Sequence, residues 1–110
     1  MSNATQLFLR QVQHPAVQPG QAFRVICDGV EVGSIGLQTA AAQRRFWSWG
    51  IDTVEPLPFV THGEADSREH AMDRFRAAWL LYAADAARLA RLFEVKAATA
   101  DRMQRPRSGE

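Results

Sequence analysis

The chain has 110 residues, of which 46% are apolar and 23% charged, proportions that lie away from those of disordered and membrane-embedded chains. Its 13 basic and 12 acidic residues leave a formal net charge of +1, which excludes a strong overall attraction for polyanions. A single cysteine, Cys27, excludes an intramolecular disulfide and indicates a reducing compartment. Because no apolar run has the length of a membrane span and the start lacks the order of a secretory signal, we expect a cytoplasmic protein with no membrane segment.

Residues 1–22 predict a weakly structured amino-terminal segment. The apolar patch at Leu7 to Leu9 favours a short strand or a single helical turn, and Pro15 and Pro19 prevent any longer element. The single folded domain is therefore expected to span residues 23–101.

A β-hairpin is predicted at the start of this domain. The β-rich runs Phe23–Cys27 and Val30–Leu37 flank an Asp-Gly pair at positions 28–29, which is typical of two-residue hairpin turns. Such a turn places Cys27 opposite Val30 and directs alternate side chains of both strands toward a core.

Further β structure is predicted after the hairpin. Gly33 and Gly36 indicate a bulge or a bend late in the second strand. The alternating side chains of Phe46–Val54 predict a third strand, which two prolines then end. Phe59–Thr61 predicts a short extension or an edge strand before a turn at positions 62–63.

One long helix is the main prediction for the second half of the chain. Asp66 and Ser67 are both suitable N-cap residues, and apolar side chains then recur every three or four positions. Because no glycine or proline interrupts this stretch, a continuous helix is predicted from Ser67 to about Ala98, a length of about 48 Å. The alternative is a break near Ala84 or Ala97 that folds the end back as a second helix.

These elements predict an α+β fold, in which an antiparallel sheet of three or four strands carries one long carboxy-terminal helix across one face. Residues 102–110 are expected to form a basic, flexible tail. The predicted core combines aromatic, aliphatic and sulfur-containing side chains from both layers: Phe23, Val25, Cys27, Val30, Val32, Trp47, Trp49, Met72, Phe75 and Trp79.

Trp47 and Trp49 share one face of the predicted third strand and allow two interpretations. On an exposed face, next to Arg44 and Arg45, they would stack on bases or hold a peptide. On the core face they would pack against the helix near Trp79. The core interpretation is favoured, because a small two-layer domain needs large side chains to fill its interior.

The polar loop His62–His70 is the part of the sequence richest in possible metal ligands and catalytic side chains. It also contains Glu64 and Asp66, but the spacing matches no strong zinc pattern, and Asp66 is a suitable helix cap. Ser34 lacks the sequence context of a nucleophile elbow, and a buried Cys27 would stay protonated. The sequence therefore proposes no catalytic residue, no metal and no cofactor.

The order of the motifs resembles a set of small uncharacterised proteobacterial proteins that combine such strands with a helix. The likeness covers about Phe23–Trp79 and depends on the Asp-Gly hairpin, on Trp47-Ser48-Trp49 and on the helix start Gly63-Glu64-Ala65-Asp66-Ser67-Arg68-Glu69. It implies packing and capping roles for these residues and assigns no activity. Arginine supplies 12 of the 13 basic residues, which is likewise typical of a GC-rich bacterial genome.

The first functional hypothesis is a non-catalytic bacterial interaction module that forms a homodimer through its long helix. Strands of about six residues cover less than half of a helix of about 48 Å, so a second surface is needed to cover the rest. Residues 77–84 contain no charge and place apolar side chains around the whole circumference. The predicted interface consists of Leu80, Leu81, Ala84 and Leu92.

Two other hypotheses belong to different functional classes. A nucleic-acid-binding domain would use the exposed face of the sheet, with Arg24, Arg44, Arg45 and Phe46 as contacts. A small enzyme or ligand-binding protein would be centred on the His62–His70 loop.

Overall fold

A computed structural model describes residues 6–104, in which five strands precede two helices. A short 3₁₀ turn, Ala41–Gln43, connects the third and fourth strands. The elements are β1 (Phe8–Gln11), β2 (Ala22–Cys27), β3 (Val30–Thr39), β4 (Arg45–Ile51), β5 (His62–Ala65), α1 (Arg68–Ala83) and α2 (Ala86–Gln104).

The strands form one antiparallel sheet in the order β1-β2-β3-β4-β5. The predicted α+β class, with an antiparallel sheet and a helix packed on it, is confirmed, and the sheet has five strands instead of three or four. The two additional strands lie at the edges. β1 comes from the segment expected to be weakly structured, and β5 begins where a turn was expected, whereas Phe59–Thr61 forms no strand. Strand β5 contains no residue of high strand propensity. Its pairing with β4 stabilises it, and a prediction from local propensity does not include that pairing.

The predicted hairpin between β2 and β3 is confirmed, with Cys27 paired to Val30. Asp28 and Gly29 both have positive φ values, 51° and 76°, as a two-residue hairpin turn of this kind requires. The bulge lies earlier than expected: Val25 pairs with Gly33 and Ile26 with Glu31, which leaves Val32 as the extra residue of β3. Buried Val32 and Gly33 therefore follow each other directly.

The core lies between the sheet and the helices, and it contains most of the predicted side chains. Trp49 is 5% exposed and meets Phe75 edge-to-face, with ring centres 6.4 Å apart, which confirms that the β4 tryptophans face the core. Three predicted members are only partly buried against this core: Val30, Trp47 and Met72. The other seven are buried: Phe23, Val25, Cys27, Val32, Trp49, Phe75 and Trp79.

The helical region is divided, so the prediction of a continuous helix from Ser67 to Ala98 is wrong. The side chain of Ser67 caps α1, and its Oγ accepts a hydrogen bond from the backbone N–H of His70 at 3.0 Å. Helix α1 ends at Ala83, and Asp85 then caps α2 by accepting a hydrogen bond from the backbone N–H of Arg88 at 3.0 Å.

Arg88 completes this junction between the helices. Its Nε donates to the carbonyl of Tyr82 at 3.1 Å, and its Nη2 donates to the carbonyl of Leu81 at 2.9 Å. Carbonyls in the last turn of a helix have no partner within the helix, so the arginine satisfies groups that the break leaves open. Asp85 and Arg88 thus end one helix and begin the next without glycine or proline.

No helix among residues 6–104 is both long enough and apolar enough to cross a membrane.

Candidate functional site

A row of five alternating charges runs from the outer face of the sheet to α2, and we call it the charge chain. Arg10 Nη2 lies 3.0 Å from Glu31 Oε2, and Arg24 Nε lies 2.8 Å from Glu31 Oε1. Arg24 Nη2 also contacts Asp52 Oδ2, whose other partner is Lys96 Nζ at 2.6 Å. Each carboxylate therefore bridges two cations.

The sheet register brings the first part of this chain together. Arg10 of β1 lies directly opposite Arg24 of β2, and the bulge at Val32 directs Glu31 of β3 toward both of them. Asp52 follows β4 and is held there by its backbone N–H, which donates to the carbonyl of Val32 at 2.8 Å. The charges therefore meet only because the fold aligns four separate segments.

The inner members of the chain are half-buried and remain charged. Burial favours the neutral form of Asp52, but hydrogen bonds from Lys96 and Arg24 outweigh it, and the pKa of Asp52 lies below its usual value. The hydrogen bond from Arg24 likewise lowers the pKa of Glu31. Both carboxylates are thus ionised at neutral pH, and the chain links α2 to the sheet.

We expect Asp52→Asn to lower the free energy of unfolding at neutral pH and to make that free energy depend less on pH in the acidic range. Because the folded-state pKa of Asp52 is below the ordinary 3.8, the ionised group stabilises the fold above that pH, and this stabilisation is lost as the pH falls through the folded-state value. Urea unfolding at several pH values between about 7 and 3 measures the difference. Asp73→Asn is the control, because it removes a carboxylate that is 77% exposed on α1 and lies outside the charge chain, and it should change the stability at neutral pH little. Equal acid curves for Asp52→Asn and the parent would contradict the assignment.

A cavity of about 340 Å³ opens beside the charge chain, between the β2–β3 turn and α2. Three cations and one carboxylate of the chain line it: Arg10, Arg24, Lys96 and Glu31. Its remaining wall is small and mostly apolar: Gly29, Val30, Ala97, Thr99 and Ala100. The cavity therefore combines an excess of positive charge with an apolar side, and no sequence motif indicated it.

A second cavity, of about 290 Å³, lies where the two helices meet the segment after β4. Its arginines have structural partners: Arg88 lies between the rings of Tyr82 and Phe59, 5.0 and 5.3 Å from their centres, and Arg91 Nη2 donates to Glu55 Oε1 at 3.1 Å. Burial raises the pKa of the Tyr82 hydroxyl, so this group stays protonated at neutral pH. These side chains hold the helix junction.

Two of the residues proposed for nucleic-acid binding, Arg24 and Arg44, have carboxylate partners. Arg44 lies over Phe46, 4.9 Å from the ring centre, and its Nη2 is 3.4 Å from Glu64 Oε1. Arg45 is exposed near them at the start of β4. Arg24 belongs to the charge chain, where it pairs with Glu31 and Asp52. Since phosphate binding needs cations that are free to replace counterions, this pairing does not favour the hypothesis.

The histidines of the 62–70 loop lie on different elements. His62 begins β5 opposite Gly50, and His70 lies in the first turn of α1. His70 Nδ1 accepts a hydrogen bond from the backbone N–H of Asp66 at 3.1 Å, which is a capping contact. Among residues 6–104, no group of three or more histidine, cysteine, aspartate or glutamate side chains could hold a metal ion.

An exposed apolar surface lies on α1. Leu80 and Leu81 are 47% and 54% exposed, and Ala84 is exposed beside them. Leu81 also lines a groove of about 230 Å³ together with Val60, a residue that sequence reasoning did not single out. Leu92, the fourth residue of the predicted interface, is only 7% exposed, because the break at Asp85 lets α2 pack this side chain into the core.

The resemblance to small proteobacterial proteins stays a prediction. No protein-family model, no curated protein and no solved structure matches this chain.

Proposed function

We propose that the chain is a non-catalytic interaction module that forms a homodimer through the exposed side of α1. The observation that carries the proposal is the pair Leu80 and Leu81, about half of each of which faces water on a helix whose opposite side is fully buried. Large apolar side chains that are exposed together are typical of protein interfaces. We call Ala77, Leu80, Leu81 and Ala84 the α1 seam.

The spacing of the α1 seam suits a second copy of the same helix. Ala77 and Ala84 each lie three or four positions from the two leucines, as in the contact line of paired helices. If two copies of α1 pack antiparallel about a two-fold axis, with the centre between Leu80 and Leu81, each Leu80 opposes the partner's Leu81. Ala77 then opposes the partner's Ala84, and these small side chains allow the helix axes to approach to about 8 Å.

Charges at the ends of the seam agree with the same arrangement. Arg76 and Asp85 are equally distant in sequence from the centre, and Asp85 directly follows the C-cap residue of α1, so each Arg76 would lie near the partner's Asp85 in the antiparallel pair. Their side chains are 49% and 50% exposed and are therefore accessible to a partner. The arginine also approaches the carboxy-terminal end of the partner's α1, where the helix dipole favours a cation. A parallel pair would instead place like charges next to each other.

The assembly is tested by light scattering coupled to size exclusion, over about 1 μM to 1 mM protein. We expect a mass that rises with concentration toward twice the chain's 12.3 kDa, because a seam of one helix pair is small for a stable interface. Leu81→Arg should remain monomeric, since it buries an unpaired charge at the centre of the seam. Val95→Arg is the matched control, because Val95 is 61% exposed on α2 and lies outside the seam. A parent mass of 12.3 kDa at every concentration would refute the dimer.

Cross-linking tests the geometry separately. Two variants, Ala77→Cys and Ala84→Cys, are oxidised either alone or after mixing. We expect the mixture to give far more covalent dimer than either variant alone, because the antiparallel seam pairs position 77 with position 84. The native Cys27 is buried and does not interfere. Equal yields in the mixture and in the separate solutions would overturn this register.

A further inference from the structure

We propose that the cavity beside the charge chain binds a small organic monoanion with an apolar body, of the class of short aliphatic carboxylates. The proposal is independent of the dimer, because neither the cavity nor the charge chain includes a residue of the α1 seam.

The charges along the charge chain alternate in sign, and a cation lies at each end. From Arg10 to Lys96 the signs are plus, minus, plus, minus, plus, so three cations share two carboxylates. The terminal cations, Arg10 and Lys96, both line the cavity. A single carboxylate placed between them would join the two ends and give every charge two opposite neighbours.

At the Lys96 end of the cavity, such a contact is stronger than one at an open surface. The side chains of Arg24, Asp52 and Lys96 are only 27%, 27% and 26% exposed, so the charges lie where water screens them less. Arg10 is 59% exposed and presents a planar guanidinium, which binds a carboxylate through two parallel hydrogen bonds.

The remaining wall of the cavity selects the body of the ligand. Val30, Ala97 and Ala100 provide apolar surface, and Thr99 adds a single hydroxyl. A volume of about 340 Å³ is at the lower end of the range for small-molecule pockets, which suits a ligand of few atoms. The charge chain has one cation more than it has carboxylates. A monoanion would therefore neutralise it, whereas a phosphate dianion would leave an excess of negative charge.

The experiment is a titration of the ¹⁵N-labelled protein with butanoate, followed by the backbone amide signals. We expect saturable shifts confined to the cavity, at Gly29, Val30, Ala97, Thr99 and Ala100, with a Kd on the order of 1 mM for so small a ligand. Butylammonium has the same body with the opposite charge and should cause none of these shifts. Inorganic phosphate and sodium chloride, at matched ionic strength, should cause weaker ones.

Two variants link the binding to the cavity. Arg10→Gln removes one terminal cation at an exposed edge strand and should raise the Kd at least tenfold. Ala100→Leu fills the cavity without a change of charge and should abolish the shifts. Arg45→Gln, which removes an exposed arginine at the start of β4, should leave the Kd unchanged.

The proposal is overturned if butanoate causes no saturable shift at the cavity, or if butylammonium or chloride causes the same shifts. It is also overturned if both cavity variants, with parent-like amide spectra, bind as the parent does. A preference for phosphate over butanoate in all variants would also overturn it, because the charge chain would then attract anions without selecting an apolar body.

Discussion

Replacing Trp79 by alanine is expected to destabilise the domain by about 3–5 kcal/mol, the range for removal of a fully buried large aromatic side chain. Trp79 has no exposed surface and lies between two other rings, with centres 6.4 Å from Phe75 and 5.5 Å from Tyr82. Native domains are more stable than their unfolded chains by only roughly 5–15 kcal/mol, so this loss removes a large share of the stability and should lower the urea midpoint markedly. Urea unfolding of the variant and the parent, monitored by circular dichroism, measures the cost.

Val95→Ala is the control for this experiment. Val95 lies on α2 and is 61% exposed, so the same kind of truncation removes little buried area there. Its midpoint should stay close to that of the parent, since alanine also has the higher helix propensity. A Trp79→Ala variant that unfolds as late as this control would show that Trp79 does not connect the helix to the sheet.

The sequence predicts correctly those parts of the fold that depend on interactions between residues close in sequence. The Asp-Gly turn requires positive φ at both residues, and this alone aligns Cys27 with Val30. The apolar period of α1 likewise identified Phe75 and Trp79 as core residues, since a helix can bury only one stripe against a sheet.

The elements that were not predicted correctly depend on residues that are distant in sequence or on side-chain contacts. Strand β5 exists because β4 offers a free edge, and its own residues have low strand propensity. The helix break depends on a side chain, Arg88, that reaches back to carbonyls six and seven residues earlier. A prediction that places helix ends only at glycine or proline does not detect such a break.

The charge chain likewise could not be predicted from the sequence, because its members are brought together by partners distant in sequence. Arg10, Glu31, Asp52 and Lys96 lie far apart in sequence, and each alone is an ordinary surface charge. Their meeting depends on the pairing of β1 with β2, on the bulge in β3 and on the packing of α2. From the sequence, Asp52 is predicted only as one alternating residue of the third strand, whereas the structure places it between Arg24 and Lys96.

Gly33→Ala is expected to destabilise the fold by about 3 kcal/mol, the upper part of the range for overpacking a close-packed core. A Cβ atom at this position would lie 2.3 Å from Cε2 of Phe75 and 2.4 Å from the carbonyl oxygen of Gly50. The first contact is with a fully buried ring, and the second is with the backbone of the neighbouring strand, so neither can move away easily. Urea unfolding compares the variant with the parent.

Gly36→Ala provides a matched control in the same strand. Its added Cβ would meet its nearest atom, Nε2 of Gln38, at 3.5 Å, which is an ordinary contact, so stability should change by less than about 0.5 kcal/mol.

Adding Phe75→Leu to Gly33→Ala should cost less than the sum of the two single changes, because the smaller side chain relieves one of the two close contacts. The contact with the Gly50 carbonyl remains in the double variant. Full additivity would therefore contradict the view that Phe75 requires glycine at position 33, and it would assign the cost of Gly33→Ala to the β3–β4 backbone contact alone.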